Sequence, residues 1–154
     1  MKLNLTLGGT PKNGYLNIDP YFEAEGKTKA DLGNLNEYVD DNECSQILAL
    51  DILEYLPVPV ADQILNHWIS KLAHNGQLIL SATNVRQVCK CIINKSLPLD
   101  VSNELLYGSQ RYDWEVKRGM VDIERLTSAL QSKGLRILSK RLNGLQMCVV
   151  AERP

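Results

Sequence analysis

Gly8-Gly9-Thr10 and Asp19 are the residues whose types and spacing most directly allow chemistry. Paired glycines after an apolar run let the backbone come close to a ligand, because no Cβ stands in the way. Asp19 ends a second apolar run just before Pro20, where a carboxylate accepts two hydrogen bonds from ligand hydroxyls; otherwise it is a solvated acid opening a proline turn. Asp51 follows Ile47-Leu48-Ala49-Leu50 and places a negative charge where it would offset a cationic ligand. Its alternative role is to cap a short helix through Leu53.

Other chemistries find little material. His67 and His74 are the two histidines, too few for a triad or an imidazole metal site. Cys44, Cys89, Cys91 and Cys148 show no paired CxxC spacing for zinc, so no metal site is expected and the cysteines read as buried reduced thiols. The stretch from Ser96 to Gly119 is long for a connection and carries Tyr107, Tyr112, Trp114, Arg111, Lys117 and Arg118. It lies where a lid would cover a site and where its cations would meet an acidic group; the plainer reading is a packed loop with a solvated rim. A net charge of −1 leaves no basic face for a phosphate backbone, so nucleic acid is an unpromising partner and a small polar molecule a better one. The polar and apolar residues alternate from Lys2 onward, unlike a leader or spanning helix, and a cytoplasmic protein is expected.

These residues need a scaffold, and the apolar periodicity supplies one. Leu3, Leu5 and Leu7 alternate with polar residues as a half-buried strand, and Leu16 and Ile18 repeat the pattern up to Pro20. Lys29 to Leu32 reads as a short third strand, and Leu35, Tyr38 and Val39 have helical spacing. Ile47 to Leu50 is apolar throughout, as a central strand covered on both faces would be. A helix after Pro59 carries Ile64, Leu65, Trp68 and Leu72 inward, and Asn75-Gly76 closes it before a strand over 77–82. Asn84 and Gln87 cap a helix with a stripe of Val85, Val88, Cys89, Ile92 and Ile93. A later helix starts near Asp122 and stops at Gly134. Asn143-Gly144 between two strand-like runs marks an antiparallel hairpin whose apolar second strand, through Val149, lies inside the sheet. Strands alternating with helices predict one α/β domain over 1–154 with a doubly wound, mostly parallel sheet.

Taken in order, Leu5-Thr6-Leu7-Gly8-Gly9-Thr10, Gly14-Tyr15-Leu16-Asn17-Ile18-Asp19, Ile47 to Pro57 and Asn75 to Leu80 resemble the motifs of the class I S-adenosylmethionine-dependent methyltransferases, short form. Leu106 to Gln110 and Leu126 to Leu135 resemble that family's late loop and last helix. The resemblance implies a Rossmann-like strand order of 3-2-1-4-5-7-6 and S-adenosylmethionine as cofactor. It implies Gly8, Gly9 and Thr10 facing the methionine part, Asp19 on the ribose, Asp31 and Leu32 by the adenine, and Leu50 and Asp51 by the sulfonium and amino group. For Asp31 the alternative is a turn acid. Asp51 is a candidate for a catalytic role; Tyr107, Arg111, Tyr112 and Trp114 are candidates for contact with the acceptor.

The sequence departs from the family pattern in two places. Thr10 stands where a second glycine is usual, and only Gly8 to Gly14 joins the first two strands. Seven residues reach at most about 25 Å, enough to return along a strand of about 17 Å only if nearly extended, so the first helix is missing and a hairpin there stays open as an alternative. The face bearing Lys2, Asn4, Thr6 and Asn17 is expected to be solvated, or covered by a polar contact from the 96–119 segment or the second subunit of a homodimer. Two functions follow: methyl transfer to a small molecule or sugar, or a non-catalytic binding or assembly module of the same fold. A dinucleotide-binding domain would need a GxGxxG turn opening a helix, and Gly8-Gly9-Thr10-Pro11 is not one.

Overall fold

Alternation in β1 (Lys2–Leu5) turns Leu3 and Leu5 to one face, and the parallel register Leu3↔Leu16 and Leu5↔Ile18 puts residues of β2 (Leu16–Ile18) beside them. The computed structural model describes residues 1–154. Four further strands follow: β3 (Cys44–Leu50), β4 (Leu72–Thr83), β5 (Arg136–Asn143) and β6 (Gln146–Glu152). The helices are α1 (Val58–Lys71), α2 (Val85–Ile93), α3 (Leu99–Tyr107) and α4 (Ile123–Ser132), with a 3-10 turn at Leu53–Tyr55. One sheet runs β2-β1-β3-β4-β6-β5, parallel from β2 to β4, with β6 antiparallel between β4 and β5.

This is the expected order without its third strand. Lys29 to Leu32 forms no strand; a single bridge, Ile18↔Thr28, stands in its place. Residues 35–39 make only a turn, closed by the Val39 amide on the Leu35 carbonyl at 3.0 Å. The first two strands are parallel, not a hairpin, and no helix lies between them. Val149 sits inside the sheet, and β5, with Arg136, Lys140 and Arg141, is the outer edge. Cations on an exposed edge discourage further strand pairing.

One core forms on the face of Leu3, Leu5, Ile18, Ile47, Ala49, Leu78, Leu80 and Val149, where Leu65 and Trp68 of α1 and Leu126 and Leu130 of α4 pack. The opposite face of β1 and β2 carries Asn4, Thr6 and Asn17, all buried. Their cover is neither solvent, the 96–119 segment alone nor a second subunit, but the connecting loop itself. Asn17 Oδ1 accepts from the Lys12 amide at 2.7 Å and from Asn4 Nδ2 at 2.8 Å, while Asn17 Nδ2 donates to the carbonyls of Lys12, Tyr15 and Gly26. A chain too short for a helix thus folds back over polar side chains that satisfy its backbone groups.

Helix α2 differs from its sequence reading, and α4 begins where it was expected. In α2 the Asn84 side chain caps the Gln87 amide at 3.3 Å, but of the expected stripe only Val88 is buried, and Ile93 is 81% exposed. The packing partner of α2 is α3, not the sheet, which leaves Cys89 exposed instead of buried. In α4 the Asp122 carboxylate caps the Glu124 and Arg125 amides.

Candidate functional site

The carboxyl ends of β1, β2 and β3 point at one edge of the sheet, where open parallel sheets of this kind bind ligands. At the end of β2, Asp19 is fully buried and surrounded by donors. Its Oδ2 accepts from the Gly8 amide at 2.7 Å, from Thr6 Oγ1 at 3.0 Å and from Lys27 Nζ at 3.1 Å; its Oδ1 accepts from the amides of Tyr21 and Phe22 at 3.0 and 3.1 Å. Burial works to raise the pKa of this carboxyl, but the Tyr21 and Gly8 amides, Lys27 and the Phe22 amide outweigh it and hold it below the usual carboxylate value. Five donors on two oxygens leave no free face for ligand hydroxyls. Asp19 is thereby the knot that fixes the glycine turn to the end of β2. Gly8 itself has φ +76°, and a Cβ there would stand 3.2 Å from the Phe22 ring.

Two clefts open above this knot. The first, about 380 Å³, is lined by Thr6, Gly9, Thr10, Leu50, Asp51 and Glu115, among others; the second, about 180 Å³, by Pro20, Tyr21, Asp31, Leu32, Ile64 and Arg118, among others. Leu7, Tyr55 and Trp114 line both. The structure therefore brings together Gly9, Thr10, Leu50 and Asp51 on one side and Asp31 and Leu32 on the other. Asp31 Oδ1 accepts from the Gly33 amide at 2.8 Å in a tight turn, with the residue exposed. Asp51 caps no helix: its φ is +56°, its amide donates to the Ser81 carbonyl at 3.0 Å, and Ser81 Oγ donates to its Oδ1 at 3.0 Å. Ser81 thus aims the carboxylate from the neighbouring strand.

A third cavity, about 320 Å³, shares Asp51, Tyr55 and Glu115 with the first cleft and adds Thr83, Glu104, Ser109, Arg111, Lys117 and Gln146. Tyr55 lines all three spaces, and the sequence reading gave it no role. Its signal was there: it ends the Asp51-Ile52-Leu53-Glu54-Tyr55 run just after the central strand. Burial first, then the charges of Glu54, Glu115, Asp51 and Glu104, push its pKa above the ordinary phenol value, so at neutral pH it is a donor.

The 96–119 segment is moored here by Glu54. Lys117 Nζ lies 3.1 Å from Glu54 Oε2, both nearly fully buried, and donates to Thr83 Oγ1 and the Leu105 carbonyl at 2.8 Å each. The amides of Arg118 and Gly119 donate to the Glu54 carbonyl. Lys117 is therefore consumed internally and is not free to meet an acidic ligand. Arg111 Nε sits 3.7 Å from Glu115 Oε2 in the third cavity. Trp114 stacks on Tyr21, ring centroids 4.6 Å apart and 5° from parallel, and Tyr112 stacks behind Trp114 at 5.8 Å. Tyr107 is not part of these walls; it lies on an open polar concavity beside Asp100, Asn103 and Gln110. Of the four residues expected to meet an acceptor, Arg111 and Trp114 reach the site, Tyr112 backs it and Tyr107 lies outside.

No family model and no curated protein matches the sequence. Solved structures do match the fold. A SAM-dependent methyltransferase from Methanosarcina mazei aligns with TM-score 0.66 and 13% identity over 99% of this chain and 91% of its own. A 1,6-didemethyltoxoflavin-N1-methyltransferase from Burkholderia thailandensis, with 1,6-didemethyltoxoflavin and S-adenosylhomocysteine bound, aligns with TM-score 0.65 and 10% identity over 98% of this chain and 70% of its own. An O-methyltransferase family protein, also from Burkholderia thailandensis, aligns with TM-score 0.56 and 13% identity over 82% of this chain. The match spans 35% of that protein's length. No helix is long and apolar enough to cross a membrane.

Proposed function

We propose that this chain, which has the fold of the class I S-adenosylmethionine-dependent methyltransferases, holds S-adenosylmethionine across the carboxyl ends of β1 and β3 and presents it to a small polar acceptor. The observation that carries this reading is the pair of clefts meeting at Leu7, Tyr55 and Trp114, one above Gly9, Thr10, Leu50 and Asp51, the other above Asp31 and Leu32. Their volumes and linings suit the two ends of a nucleoside carrying an amino-acid tail. The first cleft, bordered by Thr6, Thr10, Asp51 and Glu115, takes the tail, and the second, bordered by Leu7, Pro20, Leu32 and Ile64, takes the base. Asp19 supports the site from beneath and makes no direct contact.

When bound, S-adenosylmethionine supplies a methyl group on a cationic sulfur. Asp51, aimed by Ser81, offsets that charge. Tyr55 offers a proton to a polar atom at the junction of the three spaces. The third cavity seats the acceptor, and its lining of Thr83, Glu104, Ser109, Arg111 and Gln146 suits a small polar molecule such as an amine or a sugar. The small molecule bound by the Burkholderia thailandensis N1-methyltransferase supports an acceptor of that size. Methyl transfer depends on in-line placement more than on proton transfer, so the reading assigns no general base.

The test compares two ligands that differ in charge. Asp51→Ala is expected to weaken S-adenosylmethionine about fivefold, roughly 1 kcal/mol, while uncharged-sulfur S-adenosylhomocysteine changes less than twofold. Equal losses for both would remove Asp51 from the sulfonium. Turnover is read as S-adenosylhomocysteine release with amines, sugars and hydroxy acids; cofactor binding with no release across that set favours the binding-module function.

A further inference from the structure

Resting on this cofactor reading, we propose that residues 109–116 form a hinged strap whose Trp114 encloses the cofactor and not the acceptor. The loop is closed on itself. The Lys117 amide donates to the Tyr107 carbonyl at 3.0 Å, the Gln110 amide to the Glu115 carbonyl at 3.0 Å and the Glu115 amide to the Tyr112 carbonyl at 3.0 Å. Ser109 and Arg111 bond within it as well, to Glu115 and to each other. None of the hydrogen bonds of residues 109–116 reaches beyond the loop.

Base and tip are held differently. The base is moored by the buried Lys117–Glu54 pair and turns at Gly108, where φ is +84° and a Cβ would stand 2.5 Å from the Glu115 carbonyl oxygen. The tip rests on rings: Trp114 face to face with Tyr21 at 4.6 Å, and edge to face with Phe22 at 5.7 Å. Tyr21 and Phe22 are in turn fixed by their amides on Asp19. A loop with a rigid base and a tip held by stacking alone opens without disturbing the core.

Placement decides what the strap covers. Trp114 lines the cleft over Gly9 and Asp51 and the cleft over Asp31 and Leu32, but not the third cavity. A ligand spanning the first two lies under its indole, and the strap must lift from Tyr21 to admit it. The acceptor space stays open beside Arg111.

Binding of S-adenosylhomocysteine to the full chain by calorimetry, with intrinsic fluorescence and acrylamide quenching alongside, tests this. Trp68 is fully buried, so quenching reports Trp114. The ligand is expected to shield Trp114 in wild type. Trp114→Ala should weaken binding at least tenfold, Trp114→Phe should restore most of the affinity, and Tyr112→Ala should change it less than twofold. Wild-type binding with Trp114→Ala inside a twofold margin overturns the strap and leaves the cofactor reading standing. No binding to wild type overturns both.

Discussion

Asp19→Asn separates a structural knot from a ligand contact. The amide keeps one acceptor oxygen and gains an NH₂. If the NH₂ takes the Oδ1 position it faces the Tyr21 and Phe22 amides; if it takes the Oδ2 position it faces the Gly8 amide, Thr6 Oγ1 and Lys27. Either way at least two donors meet a donor. Lys27, with its side chain 5% exposed, also loses its counter-charge and keeps only its place over the Phe22 ring, 5.8 Å from the centroid. Removing one member of a buried pair costs about 3–5 kcal/mol, mostly through the charge left unpaired. Folded domains are stable by only about 5–15 kcal/mol, so this is a large fraction. With a urea slope near 2 kcal/mol per molar, the unfolding midpoint should fall by about 1.5–2.5 M. Lys27→Met placed on top of Asp19→Asn should recover part of the loss, because it deletes the stranded charge. The acid limb changes too. A carboxyl whose folded pKa is depressed adds stability that is fully present above its unfolded value near 3.9 and is lost as the pH falls through the folded value. That loss should be absent in Asp19→Asn. A variant that unfolds within about 0.5 M of wild type yet no longer binds S-adenosylhomocysteine would refute the reasoning and return Asp19 to the ligand.

Three further outcomes follow from other parts of the fold. Gly76→Ala should cost about 2 kcal/mol or more, roughly 4–8 °C in melting temperature, because the new Cβ would stand 2.5 Å from the Cys44 carbonyl oxygen where β4 bulges; an unchanged melting curve would contradict that packing. His67 accepts the Leu35 amide at 2.9 Å, and burial, then the Lys71 charge, lower its pKa below the ordinary value. Its contribution to stability is therefore present above about pH 6.5 and lost as the pH falls through the folded value, and His67→Gln should flatten the stability profile between about pH 7 and 5. Burial pushes the Cys44 thiol up to about 11, so iodoacetamide at pH 8 should label exposed Cys89 first and leave Cys44 unmodified in the native protein, as read by mass spectrometry.

The sequence reading succeeded where one face of an element decides the outcome. Leu3 and Leu5, the unbroken Ile47–Leu50 run and Asn143-Gly144 before an apolar strand mark a half-buried strand, a central strand and a closing hairpin, whereas the order of the strands is what the family resemblance implies. It failed where the outcome depends on a distant partner. The apolar stripe of α2 could not say that its neighbour would be α3 instead of the sheet. Lys29 to Leu32 reads as a short strand, yet only Thr28 pairs, with Ile18, and the chain turns away. Asn4 and Asn17 read as a face with no helix, which is correct, but nothing in their spacing shows that Lys12 and Tyr15 would bend back to bond them. Asp19 shows the same limit in the site. An acid at a strand end is legible, whereas five donors from Thr6, Gly8, Tyr21, Phe22 and Lys27 converge only in three dimensions. Tyr55 was hidden for the opposite reason: it stands in plain view in the sequence, but only the meeting of three cavities shows what it faces.

Calorimetric titration of the full chain with S-adenosylhomocysteine tests the central claim most directly. Clefts walled by a loop in place of a helix enclose the ligand incompletely, and the account predicts a one-to-one complex with a dissociation constant in the micromolar to millimolar range, about −8 to −4 kcal/mol. Absence of heat and of any thermal shift at millimolar S-adenosylhomocysteine and S-adenosylmethionine would contradict it.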